Sequence, residues 1–308
     1  MPNPFAAPVL VVGATGKQGG ATARALLGSG IPVRALVRDT STARARAVRE
    51  LGAELVTGDL GDRASLARAA AGARAVFSVQ MPAPTQDGFD FDGEVAQAAN
   101  LVEAALEAGV PQFVHTSVTG AGQHTAIPGW AEGRWASVEG TLGAKAAIQD
   151  RVRAAGFPYW TLLKPGFFME NFLPSSAFLF PRGVGGGLVS VLKPETRLSL
   201  VAVDDIGAAA AAAVADRDTF NGVELELASD YLSMKRIAEV LSRVLGTRLA
   251  APDMTEAQAR AAGMPGSGAS HEFLNVAGQP GRPRYARELG IPLTTFETWA
   301  RTHLSPTA

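Results

Sequence analysis

Apolar residues recur in short blocks through the first half of the chain, and each block is followed by a stretch mixing Ala, Leu, Arg and Glu. The first block, Val9 to Val12, runs into Gly13-Ala14-Thr15-Gly16-Lys17-Gln18-Gly19 and then a stretch to Gly28 that reads as helix. Unbroken apolar blocks suit parallel strands buried on both faces. Further strands are predicted over 31–37, 53–57, 73–79, 112–117 and 159–164, with helices over 42–51, 64–71, 94–108 and 142–155 between them. Asp62 is the expected N-cap of the helix over 64–71, and Gly109 and Gly156 stand where helices end. Regular alternation of strand and helix predicts an α/β fold with a doubly wound parallel sheet.

The second half is less regular. Residues 118–140 read as a long glycine-containing loop carrying Trp130 and Trp135, and a loop of that length inside a compact domain is usually functional. After Lys164 the chain is irregular to Pro194. A strand is then predicted over 198–203, with Asp204 and Asp205 capping an Ala-rich helix to about Ala215, and another strand over 223–227. Residues 233–245 form an amphipathic helix with Ile237, Val240, Leu241 and Val244 on one face. Residues 263–281, rich in Gly and Pro, are expected as a mobile loop, and a short helix around Trp299 ends the pattern.

Composition narrows the class. The chain has 308 residues, 47% hydrophobic and 19% charged, with a net charge of −1. That describes a globular protein with ample core and without the basic surface that nucleic acid attracts. No cysteine is present, which removes disulfides, thiol nucleophiles and thiolate metal sites. No apolar stretch is long enough to span a membrane, and no signal peptide is expected, so the expected location is cytoplasmic. The 4 histidines, His115, His124, His271 and His303, lack metal-ligand spacing, and His115 is expected as a packed core residue.

The glycines of the first turn point to chemistry. Gly13 allows a sharp turn off the strand, Gly16 allows backbone to approach a pyrophosphate, and Gly19 allows helix to pack close to sheet. The helix N-terminus then offers free amides and partial positive charge. The spacing GxxGxxG departs from the simplest dinucleotide fingerprint. The second strand ends in Arg38 where an NAD site would carry an acid, with Arg34 on the same face. A guanidinium suits a 2′-phosphate, so NADP(H) is expected over NAD(H), while Asp39 could still reach a ribose. Asp59 could accept from an adenine amino group, with Leu60 packing on the base, or could cap a helix. Gln80, Ser117 and Thr119 lie at carboxyl ends of strands, where ligands bind in such sheets. Lys145, near the expected start of a helix, opposes the helix dipole, which favours a specific role such as holding ribose hydroxyls, over a surface lysine.

Taken together, GATGKQGG at 13–20, VRALVR at 33–38, GDL at 58–60, FVHTSV at 113–118, Lys145, LLKPGFFMENF at 162–172, VDDIG at 203–207 and WARTHL at 299–304 resemble the NmrA-like (HSCARG-like) group of atypical short-chain dehydrogenases. The resemblance implies an NADP-binding Rossmann domain over 1–165 plus 198–222, and a smaller interleaved α/β substrate or partner domain over 166–197 plus 223–308. Positions matching the family's NADP(H) contacts are Gly13, Thr15, Gly16, Lys17, Gln18, Gly19, Arg38, Asp59, Leu60, Gln80, Lys145 and Phe167. Ordinary members of the wider class use a Tyr-x-x-x-Lys pair, in which Lys lowers the tyrosine pKa. Here Lys145 is the candidate catalytic residue, but position 141 is Thr, and none of the 3 tyrosines is nearby in sequence. Quinone reduction survives that loss better than alcohol–ketone chemistry, because the acceptor is already electrophilic and hydride delivery needs mostly position and an apolar pocket. Phe167, Phe168, Met169, Phe172 and Trp130 could line such a pocket or be ordinary core. The resemblance therefore implies an NADPH-dependent reductase of a small planar, quinone-like acceptor. Its alternative is a non-catalytic NADP(H) sensor that regulates a partner protein; a reductase or isomerase acting on a sugar nucleotide is a weaker third.

Overall fold

The computed structural model describes residues 7–86 and 88–304. In chain order the elements are β1 (Val9–Val11), α1 (Lys17–Gly28), β2 (Val33–Val37), α2 (Ala43–Glu50), β3 (Glu54–Thr57), α3 (Arg63–Ala70), β4 (Ala75–Ser78), β5 (Ala83–Thr85), β6 (Gly88–Asp90), α4 (Phe91–Glu107), β7 (Gln112–Thr116), α5 (Ala136–Ala154) and β8 (Tyr159–Pro165). There follow β9 (Phe167–Phe168), β10 (Arg197–Val201), α6 (Val203–Ala215), β11 (Val223–Leu227), β12 (Asp230–Ser233), α7 (Met234–Leu245), α8 (Glu256–Ala261), α9 (His271–Ala277), α10 (Pro283–Glu288) and α11 (Phe296–Leu304).

A sheet of 7 strands runs in the order β3-β2-β1-β4-β7-β8-β11. β1 pairs in parallel with both β2 and β4, so the winding reverses there, and this is a Rossmann-like fold. The expected doubly wound sheet is present because the apolar blocks are buried on both faces. Val9, Leu10 and Val11 of β1 and Val76 and Phe77 of β4 have no exposed surface. Leu10, Val76, Phe113 and Leu162 meet Leu66, Leu101 and Val152 of the covering helices on one side. Phe113 stacks on Phe157 with centroids 4.8 Å apart. Asp62 caps α3 as expected, its Oδ1 accepting from the Ser65 amide at 3.2 Å.

The chain divides into two compact units. The first takes residues up to Gly122, then Gly140–Lys164 and Ile206–Leu225; the second takes Gln123–Glu139, Pro165–Asp205 and the chain from Glu226 onward. The second unit is built on the sheet β12-β10-β9, with β10 antiparallel to β12 and parallel to β9. Its core joins Phe172, Leu200, Ile237, Leu241, Phe296 and Trp299. The predicted face of α7 is buried at Ile237, Val240 and Leu241.

Several expectations need correction. Residues 198–205, expected with the first domain, belong to the second unit, because β10 joins β9 and β12. The large sheet is completed instead by β11, whose residues 223–225 were expected in the second domain. Short apolar strands of similar composition carry no signal for which sheet they join. Asp205 follows the start of α6, but its carboxylate accepts from Ser229 Oγ, from the Thr294 amide at 2.8 Å and from Thr294 Oγ1 at 2.9 Å. It therefore ties down the chain before α11. The segment 263–281, expected as a mobile loop, contains a 3₁₀ turn over Gly266–Ser270 and then α9.

Candidate functional site

The β1–α1 turn has the geometry its glycines suggest. Gly13 has φ +68°, and a Cβ there would lie 2.8 Å from Val79 Cγ1. A Cβ on Gly19 would lie 2.3 Å from the Gly13 carbonyl oxygen and 2.6 Å from that of Val12, so α1 can sit this close to β1 only with glycine there. The N-cap of α1 is Gly16, and no side chain caps the helix. Thr15, Gly16 and Lys17 are exposed beside these amides, at the carboxyl edge of the sheet. The uncapped first turn offers donors and partial positive charge to an anion. Gln18 is half-buried, and its Oε1 accepts from Thr116 Oγ1 at 2.8 Å.

The two arginines of β2 separate. Arg34 is occupied: Nε donates to Glu54 at 3.0 Å, and one terminal nitrogen donates to the carbonyls of Ala69 and Ala71 at 2.9 and 2.8 Å. Arg34 thus secures β3 and the end of α3. Arg38 is exposed just beyond β2, with no hydrogen-bond or ion-pair partner among the described residues. Asp39 accepts from both the amide and hydroxyl of Ser41, at 2.7 and 2.6 Å, and these bonds hold its carboxyl below the usual range. Asp59 is exposed after β3; its Oδ1 accepts from the Gly61 amide at 2.7 Å, so it shapes the turn and leaves the N-cap to Asp62. Leu60 is half-buried beside it, its carbonyl accepting from Asn100 at 2.9 Å.

Lys145 is buried, and it is not at the start of its helix. α5 begins at Ala136, so the helix-dipole reasoning does not apply. What holds it is Glu94 in the first turn of α4. Lys145 Nζ donates to Glu94 Oε1 at 2.6 Å and to the Gln80 carbonyl at 2.9 Å. An ammonium has three donors, so one remains for a ligand. Glu94 escapes sequence reading because acids are common in the first turn of any helix. Behind this pair, Ser78 Oγ bonds to the Gln80 side chain and lies 3.1 Å from His115 Nδ1. Burial, then the charge of Lys145, pushes His115 down to about 3, so it is a neutral core histidine. Ser117 accepts from Gln149 Nε2 at 2.7 Å, and Thr119 is buried.

In the second unit the aromatic residues fall into two roles. Met169 and Phe172 are fully buried among Leu200, Phe296 and their neighbours, so they are core and not pocket wall. Phe167 is 7% exposed and its ring lies 5.4 Å from that of His271. Trp130 is half-buried, edge-on to His124 at 4.6 Å and to Phe273 at 6.3 Å; Trp135 also meets Phe273, at 5.3 Å. His271 and Phe273 escape sequence reading because they sit in the Gly- and Pro-rich stretch expected to lack structure.

Fold and turn together define a dinucleotide-binding protein of the Rossmann class. The chain belongs to the NmrA-like family, whose model matches residues 6–268. It is 30% identical to an NAD(P)H azoreductase of Xenophilus azovorans, over 96% of this chain and 97% of that protein. Among solved structures, an NADPH-dependent quinone oxidoreductase of Escherichia coli complexed with NADPH superposes with a TM-score of 0.75 at 23% identity, covering 96% of this chain and 99% of that one. A Citrobacter triphenylmethane reductase complexed with NADP(H) gives 0.77 at 19% identity, covering 96% and 100%. At these identities the two structures speak to the fold.

Proposed function

We propose that this protein is an NADPH-dependent reductase of small planar aromatic acceptors, quinones and azo compounds foremost. The observation that carries the reading is the full-length likeness to an azoreductase. The residues present fit the nucleotide. The crowding at Gly13 and Gly19 means the tight turn needs glycine at both, and Arg38 is a free guanidinium at the end of β2, where a 2′-phosphate needs one. In this reading Gly13, Thr15, Gly16, Lys17, Gln18 and Gly19 hold the pyrophosphate, Arg38 the 2′-phosphate, and Asp59 and Leu60 the adenine. Gln80 and Lys145 hold ribose hydroxyls, and Phe167 is assigned to the nucleotide by the family resemblance. The first unit is the nucleotide-binding domain, the second the substrate domain. When bound, the reduced nicotinamide supplies a hydride, which with one proton from water takes a quinone to its hydroquinone. Lys145 keeps one N–H for a ribose hydroxyl or for negative charge developing on the acceptor oxygen, while Glu94 and Gln80 fix its position.

Thr141 keeps the second reading, a non-catalytic NADP(H) sensor, as an outcome of the test. Among the described residues no helix is long and apolar enough to cross a membrane; a cytoplasmic location belongs to the proposal. The experiment is NADPH oxidation with a panel of quinones and an azo dye, beside calorimetric titration of NADPH. Acceptor-dependent oxidation is expected. Tight NADPH binding with no turnover on any acceptor would replace the reductase by the sensor, and failure to bind either nucleotide would overturn both.

A further inference from the structure

We infer that His271 is a binding residue for the acceptor, its Nε2–H donating to the carbonyl oxygen or azo nitrogen of a planar aromatic ligand held by the rings around it. The substrate class rests on the reading above; the site itself rests on the second unit alone. His271 opens α9 and its ring is clasped by two others, Phe167 at 5.4 Å and Phe178 edge-on at 5.1 Å. The hydrogen bonds settle which nitrogen carries the proton. Ser190 Oγ accepts from the Leu192 amide at 3.1 Å and lies 3.2 Å from His271 Nδ1. The hydroxyl proton has no other partner among the described residues, so it goes to Nδ1 and leaves the ring proton on Nε2.

That Nε2–H is unused. It has no partner among the described residues, although only 6% of His271 is exposed. Nor is it one of the unpartnered polar atoms sealed from solvent, as Nε2 of His115 is. A buried imidazole thus keeps one donor within reach of a ligand. Burial pushes its pKa down to about 4, so near neutral pH it is an uncharged donor, suited to an uncharged acceptor. Of the two rings against His271, that of Phe178 is only half-buried. Half-open aromatic faces stack on a planar ring. A hydrogen bond to a quinone oxygen also draws charge from the ring that must accept a hydride.

The test is binding of 1,4-naphthoquinone and of naphthalene, which shares the ring shape and lacks the acceptor atoms. Both are followed by quenching of tryptophan fluorescence, with and without NADP⁺. The absence of cysteine keeps the quinone from being consumed by thiols. His271→Phe should weaken naphthoquinone about 10-fold and leave naphthalene unchanged, as expected for loss of one hydrogen bond. His271→Gln, which can still donate, should recover most of the loss, and Ser190→Ala, which frees the tautomer, should weaken naphthoquinone by a few fold. The inference is overturned if His271→Phe, or Ser190→Ala should it not fold, leaves the preference for naphthoquinone intact. It is also overturned if both ligands weaken equally, or if the parent protein binds no naphthoquinone in either condition. Selective loss of naphthoquinone in a protein that oxidises no NADPH would retain this site and discard the reductase; turnover without that loss would do the reverse.

Discussion

Arg38 and Lys145 show what a single residue says before its neighbours are known. Arg38 is legible from position alone, since it ends the second strand where dinucleotide folds read the ribose. Arg34 is not, because the carbonyls that hold it come from α3, far along the chain. Arg38→Ala should weaken NADPH by about 10- to 100-fold, the worth of a charge-assisted bond of about 1.5–3 kcal/mol, and leave NADH unchanged. Equal affinities before and after, by calorimetry, would remove the 2′-phosphate assignment. Lys145 stood out in the sequence for the wrong reason, its supposed place in a first turn. Its partner Glu94 is what the structure adds. Breaking a buried pair strands a charge, so Glu94→Gln should lower the unfolding free energy by about 3–5 kcal/mol. Glu94→Gln with Lys145→Met should recover part of that, and a double-mutant cycle from urea titrations measures the coupling. Additive losses would mean the two side chains do not pair.

At the scale of elements, the first unit could be read almost strand by strand, because each apolar block is long enough to be buried and is punctuated by glycine or a capping acid. The hairpin β5–β6, β12 and the short helices α8, α9 and α10 could not. Their sequences are too short to show a period, and tertiary contacts decide their fate, as in α9, where Asn275 accepts from the Lys193 amide and Thr196 Oγ1 and donates to the Val191 carbonyl. Helix–helix approach was equally hidden. A Cβ on Gly207 of α6 would lie 2.5 Å from the carbonyl carbon and oxygen of Ala21 in α1, whereas one on Gly143 of α5 would meet nothing within 4 Å. Gly207→Ala must therefore force two backbones apart, costing about 1–3 kcal/mol of stability. Gly143→Ala meets no obstacle and should raise stability by about 0.5–1 kcal/mol through helix propensity. Thermal unfolding of the two variants should move in opposite directions; a shared direction would contradict the close packing of α1 and α6.

For the whole molecule the readable quantity is stability against acid. Each unit contains a buried histidine held well below the ordinary 6.5, His115 in the first with a pKa of about 3 and His271 in the second at about 4. Burial lowers His124 in the same direction. The sign follows from proton uptake. Below the ordinary value the unfolded chain binds protons that the folded chain refuses, so stability is full above about pH 6.5 and falls as the pH drops towards 4. Each such histidine contributes a slope of at most about 1.4 kcal/mol per pH unit, so the pair can remove several kcal/mol between pH 6.5 and 5. Urea unfolding at pH 7.5 and pH 5 should show this loss, and His115→Gln and His271→Phe should each flatten the dependence. Superimposable curves for the parent protein would mean that the histidines are charged or open to water in the fold. The same titration separates fold from site. Down to about pH 5 the folded protein keeps His271 neutral, so the affinity of its folded fraction for naphthoquinone should hold constant while the total bound falls with unfolding.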